Sequence, residues 1–331
     1  MPTDLREDLQ SALGKAYTLD RELGGGRVSR VFVAHDEALD RTVVVKIVSR
    51  EKAEGVSAER FAREVKLAAR LQQANIVPVL AAGDANGIPW YSMPFVEGES
   101  LRERMGQPAP IAIGEAISVL RDVARALAYA HTHGVVHRDI KPENVLLSGG
   151  TAVVTDFGIA KALSVARTAE HAVPTIVLPG GLTLPGMSIG TPAYMAPEQA
   201  LADPSLDHRV DLYSWGVMAW ELLAGEHPFP GRTTSRALVA AHVTEPPPSL
   251  LKRKPAVPPD VSALVMRCLA KSAAERPHTA ADLLRALDVF ETPRSVATVE
   301  LPSSPVRYLA IGVTALLVTA IAAALVRLAM R

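Results

Sequence analysis

Apolar and polar residues alternate from Tyr17 to Val48 in three runs, YTLDREL, VSRVFVAHD and RTVVVKIV, with the glycines of LGGGRVSRV between the first two. A period of two predicts strands, and connections this short join only antiparallel neighbours, so an antiparallel meander is expected. A dinucleotide-binding βαβ unit would need a helix directly after the glycines, and here another strand follows. The glycines by themselves fit a plain hairpin turn as well as a phosphate-holding loop. Gly24 and Gly26 match G-x-G-x-x-G, but Ser29 stands at the third place.

Farther along, AERFAREVKLAARL puts Phe61, Val65 and Ala68 or Ala69 on one helical face, and VPVLAAGD and IPWYSMPFV read as two more strands. The remainder is mainly helical, with IAIGEAISVLRDVARALAYAHTHG as its clearest amphipathic stretch. VVHRDIKPENVLLS and AVVTDFGIAK interrupt it with strand character. An α+β architecture follows, with a small, mostly β lobe carrying one helix and a larger helical lobe. Residues 162–189 lack periodicity and are rich in Pro, Gly, Thr and Ser, the composition of a long mobile loop that is either functional or disordered. No internal repeat is present.

With 35 basic and 35 acidic residues in 331, no net field points to nucleic acid. The only cysteine, Cys268, has no disulfide partner and reads as core. The N-terminus lacks the apolar stretch of a secretory signal, so it is expected in the cytoplasm. The run 308–326, YLAIGVTALLVTAIAAALV, carries no charge and suits a hydrocarbon core of about 30 Å; the other reading is a buried terminal helix. Arg307 and Arg327 bracket it as interfacial anchors would, and TPRSVATVELPSSPVR before it reads as a linker.

Chemistry concentrates in HRDIKPEN, which holds Asp139, Lys141 and Asn144, and in DFG, which begins at Asp156. Carboxylate and amide oxygens can hold Mg2+, and another carboxylate can receive a proton. Lys46 lies in an apolar strand, where a lysine is costly unless paired, and Glu64 on the following helix is the expected partner.

Together these pieces resemble the protein-kinase signature over roughly Tyr17 to Phe290, most nearly that of bacterial eukaryotic-like Ser/Thr protein kinases. The resemblance implies a bilobal kinase fold using ATP and Mg2+, with Mn2+ as the alternative ion, and acting on Ser/Thr hydroxyls of proteins. In that reading Leu23, Gly24, Gly25, Gly26, Arg27, Val28, Ser29, Arg30 and Val31 form the flap over ATP. Lys46 contacts its α- and β-phosphates and pairs with Glu64. Asp139 is the catalytic base, Lys141 steadies the transferred group, and Asn144 and Asp156 hold the metal. GTPAYMAPEQ resembles the end of an activation segment, Asp211 of DLYSWG a brace for the catalytic loop, and Arg276 the partner of Glu198. His137 takes a scaffold role, and Glu97 and Glu99 lie near the expected ribose without a catalytic part. Lys141 after the catalytic Asp and Thr191 before APE favour Ser/Thr over Tyr.

The expected organisation is an N-terminal extension (1–16), a kinase domain (17–290; lobes 17–96 and 97–290; activation segment 156–198), a linker (291–307), a transmembrane helix (308–326) and a short tail (327–331). The domain would face the cytoplasm and the tail the outside, leaving no room for an external sensor. Gly312, Ala315 and Ala320 are the small residues through which two such helices would associate as a homodimer. Arg138 is the expected receptor for a phosphorylated Thr183 or Ser188, with Thr175 and Thr168 behind them. The alternative is a membrane-bound pseudokinase scaffold, although Lys46, Asp139, Asn144 and Asp156 are all in place.

Overall fold

A computed structural model of the chain describes residues 5–25, 29–48, 58–158, 176–177, 183–184 and 192–289. The first compact unit, Met1–Phe290, begins with helix α1 (Leu5–Leu13), then β1 (Tyr17–Gly25), β2 (Ser29–Asp36), β3 (Arg41–Val48), helix α2 (Ala58–Ala68), β4 (Ala81–Ala85) and β5 (Ile88–Pro94). The strands form one antiparallel sheet in the order β1-β2-β3-β5-β4. Alternation along β3 sends Val43, Val45 and Ile47, each 0 % exposed, into one cluster with Phe32 and Trp90. Phe61 and Val65 of α2 pack in a separate cluster with Tyr91.

Helix α1 lies in the expected N-terminal extension (1–16), yet it packs into the core of the sheet lobe. Leu5, Leu9 and Leu13 recur every fourth residue, one helical face, and Leu9 and Leu13 sit in the sheet cluster with Leu19 and Ile88. Gln10 fastens the helix to β1: its Oε1 accepts from the Leu19 N–H at 2.8 Å and its Nε2 donates to the Tyr17 carbonyl at 2.9 Å. The i, i+4, i+8 leucines are the signal in the sequence, set among the charges between them.

The second lobe holds β6 (Glu99–Ser100), α3 (Leu101–Met105), α4 (Ile113–Thr132), β7 (Val145–Ser148), β8 (Thr151–Val154), the short pair β9 (Ile176–Val177) and β10 (Thr183–Leu184), then α5 (Pro197–Ala200), α6 (Arg209–Ala224), α7 (Ser235–Thr244), α8 (Leu250–Arg253), α9 (Pro259–Cys268) and α10 (Ala280–Asp288). Every residue of α6 from Val210 to Leu223 is buried, as befits a helix apolar on nearly all sides. Trp215 of α6 donates Nε1–H to the Leu120 carbonyl of α4 at 3.0 Å, and Gly225, at φ 84°, ends the helix in the left-handed region. Cys268 is fully buried, and burial pushes its thiol up to about 12, an inert core residue.

Two short stretches join the lobes. After α2, Asn75 donates Nδ2–H to the Ala152 carbonyl at 2.8 Å, its own carbonyl takes the Val154 N–H at 2.8 Å, and Val77 N–H returns to Val154 at 2.9 Å. At the other crossing Gly98 has φ 143°, and a Cβ there would come within 2.0 Å of the Leu147 carbonyl, so only glycine lets the chain pass β7. Among the described residues no helix is long and apolar enough to cross a membrane. The run 308–326 and the rest of the second unit, Glu291–Arg331, lie outside the described residues.

Candidate active site

Lys46 and Tyr91 are directly opposed in the register of β3 and β5, so their side chains leave the same face of the sheet. Both reach Asp156, which follows β8 in the other lobe. Lys46 Nζ donates to Oδ2 at 2.6 Å, and the Tyr91 hydroxyl donates to Oδ1 at 2.5 Å. Burial would raise the Asp156 carboxyl, but the Lys46 ammonium, the Tyr91 hydroxyl and nearby His137 together hold it below the ordinary carboxylate range. Burial first and then Asp156 push the Tyr91 phenol well up, so it remains a donor. The pairing of Lys46 with Glu64 expected of the active arrangement is not the one described here. Glu64 is half-buried on α2, and the carboxylate that meets Lys46 comes from across the lobes.

The HRDIKPEN segment folds over its own aspartate. Lys141 Nζ donates to Asp139 Oδ2 at 2.6 Å, and Asn144 Nδ2 donates to the Asp139 carbonyl at 2.8 Å and to its Oδ2 at 3.1 Å. With both amide hydrogens turned to Asp139, the Asn144 amide oxygen is the atom left to ligate. The Thr155 N–H bonds the Asn144 carbonyl at 2.9 Å, which sets Asn144 beside the residue preceding Asp156. A carboxylate, an amide oxygen and a lysine in this proximity fit a hard divalent cation bound with a polyphosphate.

Buried groups hold the loop from below. His137 is 0 % exposed; its Nδ1 accepts the Asp139 N–H at 3.2 Å, which leaves Nε2–H to donate to the Thr155 carbonyl at 2.7 Å. The ring also meets Phe157 edge-on at 4.7 Å. Asp211 on α6, also 0 % exposed, accepts the backbone N–H of His137 at 2.8 Å and of Arg138 at 2.7 Å, and takes His131 Nε2–H at 2.8 Å. Burial opposes the Asp211 charge, yet His131 and these N–H donors keep its carboxyl below the usual range. Arg138 and Asp156 have φ of 67° and 66°, a left-handed backbone that costs of order 1 kcal/mol for a residue with a side chain. The Asp211 clasp is what holds the first of them.

The segment that begins at Pro192 is pinned by a fork. Arg276 donates to both oxygens of Glu198, at 2.6 and 2.8 Å, and its other N–H groups reach the carbonyls of Ala270, Arg209 and Lys271. The Ala193 carbonyl accepts from His227 Nε2 and His242 Nε2, each at 2.8 Å, and Tyr213 bridges Lys271 to His242 Nδ1. A cleft of about 310 Å3 opens beside this segment, with Glu143, Tyr194, Glu221 and His227 in its walls. Arg102 lies across it, bonded to Glu143 at 2.9 Å and to Glu221 at 2.8 Å, with the Tyr194 hydroxyl against both Arg102 and Glu221. A larger concavity of about 530 Å3 follows the outer side of α2 and contains none of the groups above.

Of the flap, Leu23 is exposed, Arg30 is bonded to Glu22 at 2.7 Å, and Gly26, Arg27 and Val28 lie outside the described residues. Glu99 accepts from Gln107 at 2.6 Å, a structural contact at the lobe junction. Thr183 is described only as backbone of β10, paired with Val177, while Thr168, Thr175, Ser188 and Thr191 lie outside the described residues. Sequence reasoning missed Tyr91, His131, Arg102 and Tyr194. The alternation of IPWYSMP was the one available signal, because it puts Tyr91 on the face opposite Trp90.

The protein kinase domain model matches residues 17–287. The chain is 38 % identical over 277 residues to the serine/threonine-protein kinase PknB of Mycolicibacterium smegmatis, covering 82 % of this chain and 42 % of that protein. It is 37 % identical over 282 residues to PknJ of Mycobacterium tuberculosis, covering 81 % and 45 %. Over 263 residues it is 35 % identical to the probable PknB of Lactococcus lactis, covering 78 % and 39 %. The chain thus spans less than half the length of these curated relatives. With a catalytic-loop aspartate, a strand lysine and a DFG aspartate drawn together between a sheet lobe and a helical lobe, and with this match over nearly the whole first unit, the chain belongs to the protein kinase family, among relatives that are bacterial serine/threonine kinases.

Proposed function

We propose that this chain is an ATP-dependent Ser/Thr protein kinase, tethered to the membrane by residues 308–326 and phosphorylating its own activation segment. The observation that carries the catalytic part is the convergence of Lys46 on Asp156 and of Lys141 and Asn144 on Asp139. Asn144 and Asp156 would hold Mg2+, which supplies charge neutralisation to the transferring phosphate. Lys46 turns from Asp156 to the phosphates. Asp139 orients the substrate hydroxyl and accepts its proton, while Lys141, already on Asp139, counters the charge that develops beside it.

Arg138 stands one residue before the base on a strained backbone, and its buried Nε has no hydrogen-bond partner among the described residues. A phosphate on Thr183 or Ser188 would complete it with a charge-assisted pair. The membrane part rests on the uncharged run alone. Mass spectrometry of the chain expressed with ATP, against Asp139→Asn, tests the reading. Phosphate on the wild type and none on the variant is expected, and equal labelling of the two would sink it. A scaffold without catalysis predicts no phosphate on either.

A further inference from the structure

Asp156 is held on both oxygens, and the second holder is the Tyr91 hydroxyl. Tyr91 is 2 % exposed; its ring packs with Phe61 and Val65 of α2, and its hydroxyl ends 2.5 Å from Asp156 Oδ1. It is also the cross-strand neighbour of Lys46, which takes Oδ2 at 2.6 Å. The carboxylate sits on a left-handed backbone, at φ 66°, and the donors that reach it, Lys46 and Tyr91, both come from the sheet of the other lobe. A carboxylate offers about four lone-pair sites, so two donors fix its plane and still leave sites open toward the cleft.

We propose that Tyr91 is a positioning residue for the metal-binding carboxylate of Asp156, fixing its plane from β5 while Lys46 is free to exchange Asp156 for phosphate. The inference rests on the kinase reading, in which Asp156 ligates Mg2+. When Lys46 leaves for the nucleotide, Tyr91 becomes the donor that keeps Asp156 aimed. Because the ring is packed against α2, the same hydroxyl couples the position of that helix to the carboxylate.

The test is equilibrium binding of a fluorescent ADP analogue, which cannot donate a γ-phosphate, titrated with Mg2+ for wild type and Tyr91→Phe. Metal-free affinity should agree within about twofold, while the Mg2+ concentration at half-saturation should rise about tenfold, the equivalent of about 1.4 kcal/mol for a lost hydrogen bond to a charged group. In an Asp156→Asn background the second substitution should add less than twofold. Tyr91→Met, which fills the site without a donor, is measured alongside so that a folding defect in one variant does not decide the result. A titration that superimposes on the wild type, shifts to lower Mg2+, or weakens metal-free and metal-loaded binding equally would overturn the role. Loss of Mg2+-dependent binding in the wild type itself would instead remove the kinase reading.

Discussion

At the scale of single residues, Lys46 shows how a costly charge is accommodated. Val43, Val45 and Ile47 carry the apolar face of β3, and Lys46 leaves the other face with its ammonium on a carboxylate 2.6 Å away. Lys46→Met keeps the apolar stem and removes the charge. Phosphoryl transfer should fall by far more than tenfold with the fold retained; a variant within about tenfold of wild type, a span of about 1.4 kcal/mol in barrier, would contradict the assignment. Arg276 offers a stability counterpart. Its five N–H groups meet five acceptors, two of them the oxygens of Glu198, and its side chain is 0 % exposed. Removing it as Arg276→Ala strands Glu198 and three carbonyls. Denaturant unfolding should register a loss of about 3–5 kcal/mol, and Arg276→Lys should recover only a minor part, because an ammonium cannot reproduce the fork.

At the scale of elements, α6 and α7 set the chemistry of the segment at Ala193. Burial, with His227 and Lys271 adding to it, pushes His242 down to about 3, so the folded protein keeps it neutral. The unfolded chain, with a histidine near 6.5, binds the proton instead, so stability is complete above about pH 6.5 and is lost as pH falls toward 3. By pH 5 this one group should remove about 2 kcal/mol. His242→Phe gives up the bonds to Ala193 and Tyr213 and should be less stable at pH 7, yet its stability should fall less steeply between pH 7 and 5, by close to one proton. Parallel slopes for the two proteins in denaturant titrations would mean that the imidazole is protonated in the folded state.

For the whole molecule, the sheet lobe and the helical lobe belong to one compact unit, whereas residues 291–331 form a second. The proposed anchor lies in that second unit, so its removal should spare catalysis. A chain ending at Pro305 is expected to be soluble and to transfer phosphate at the rate of the full chain in detergent. The full chain is expected to resist salt and carbonate and to yield only to detergent. Full-length protein found soluble and monomeric without detergent would remove the anchor from the proposal.

Much of this was determined by the sequence itself. Period-two runs set the strands of the small lobe, and the 3.6-residue spacing of Phe61 and Val65 set α2. Motif residues so close in sequence as Asp139, Lys141 and Asn144 had to share one loop, and the Asp211 and Arg276 contacts agreed with the resemblance. Tertiary structure decided what local pattern cannot carry: that Lys46 meets Asp156, 110 residues away, and not Glu64; that Tyr91 shares that carboxylate; and that the leucines of α1 close the sheet core. Each depends on which faces two distant elements present to one another. Periodicity specifies the face of an element, but only packing chooses the partner it meets.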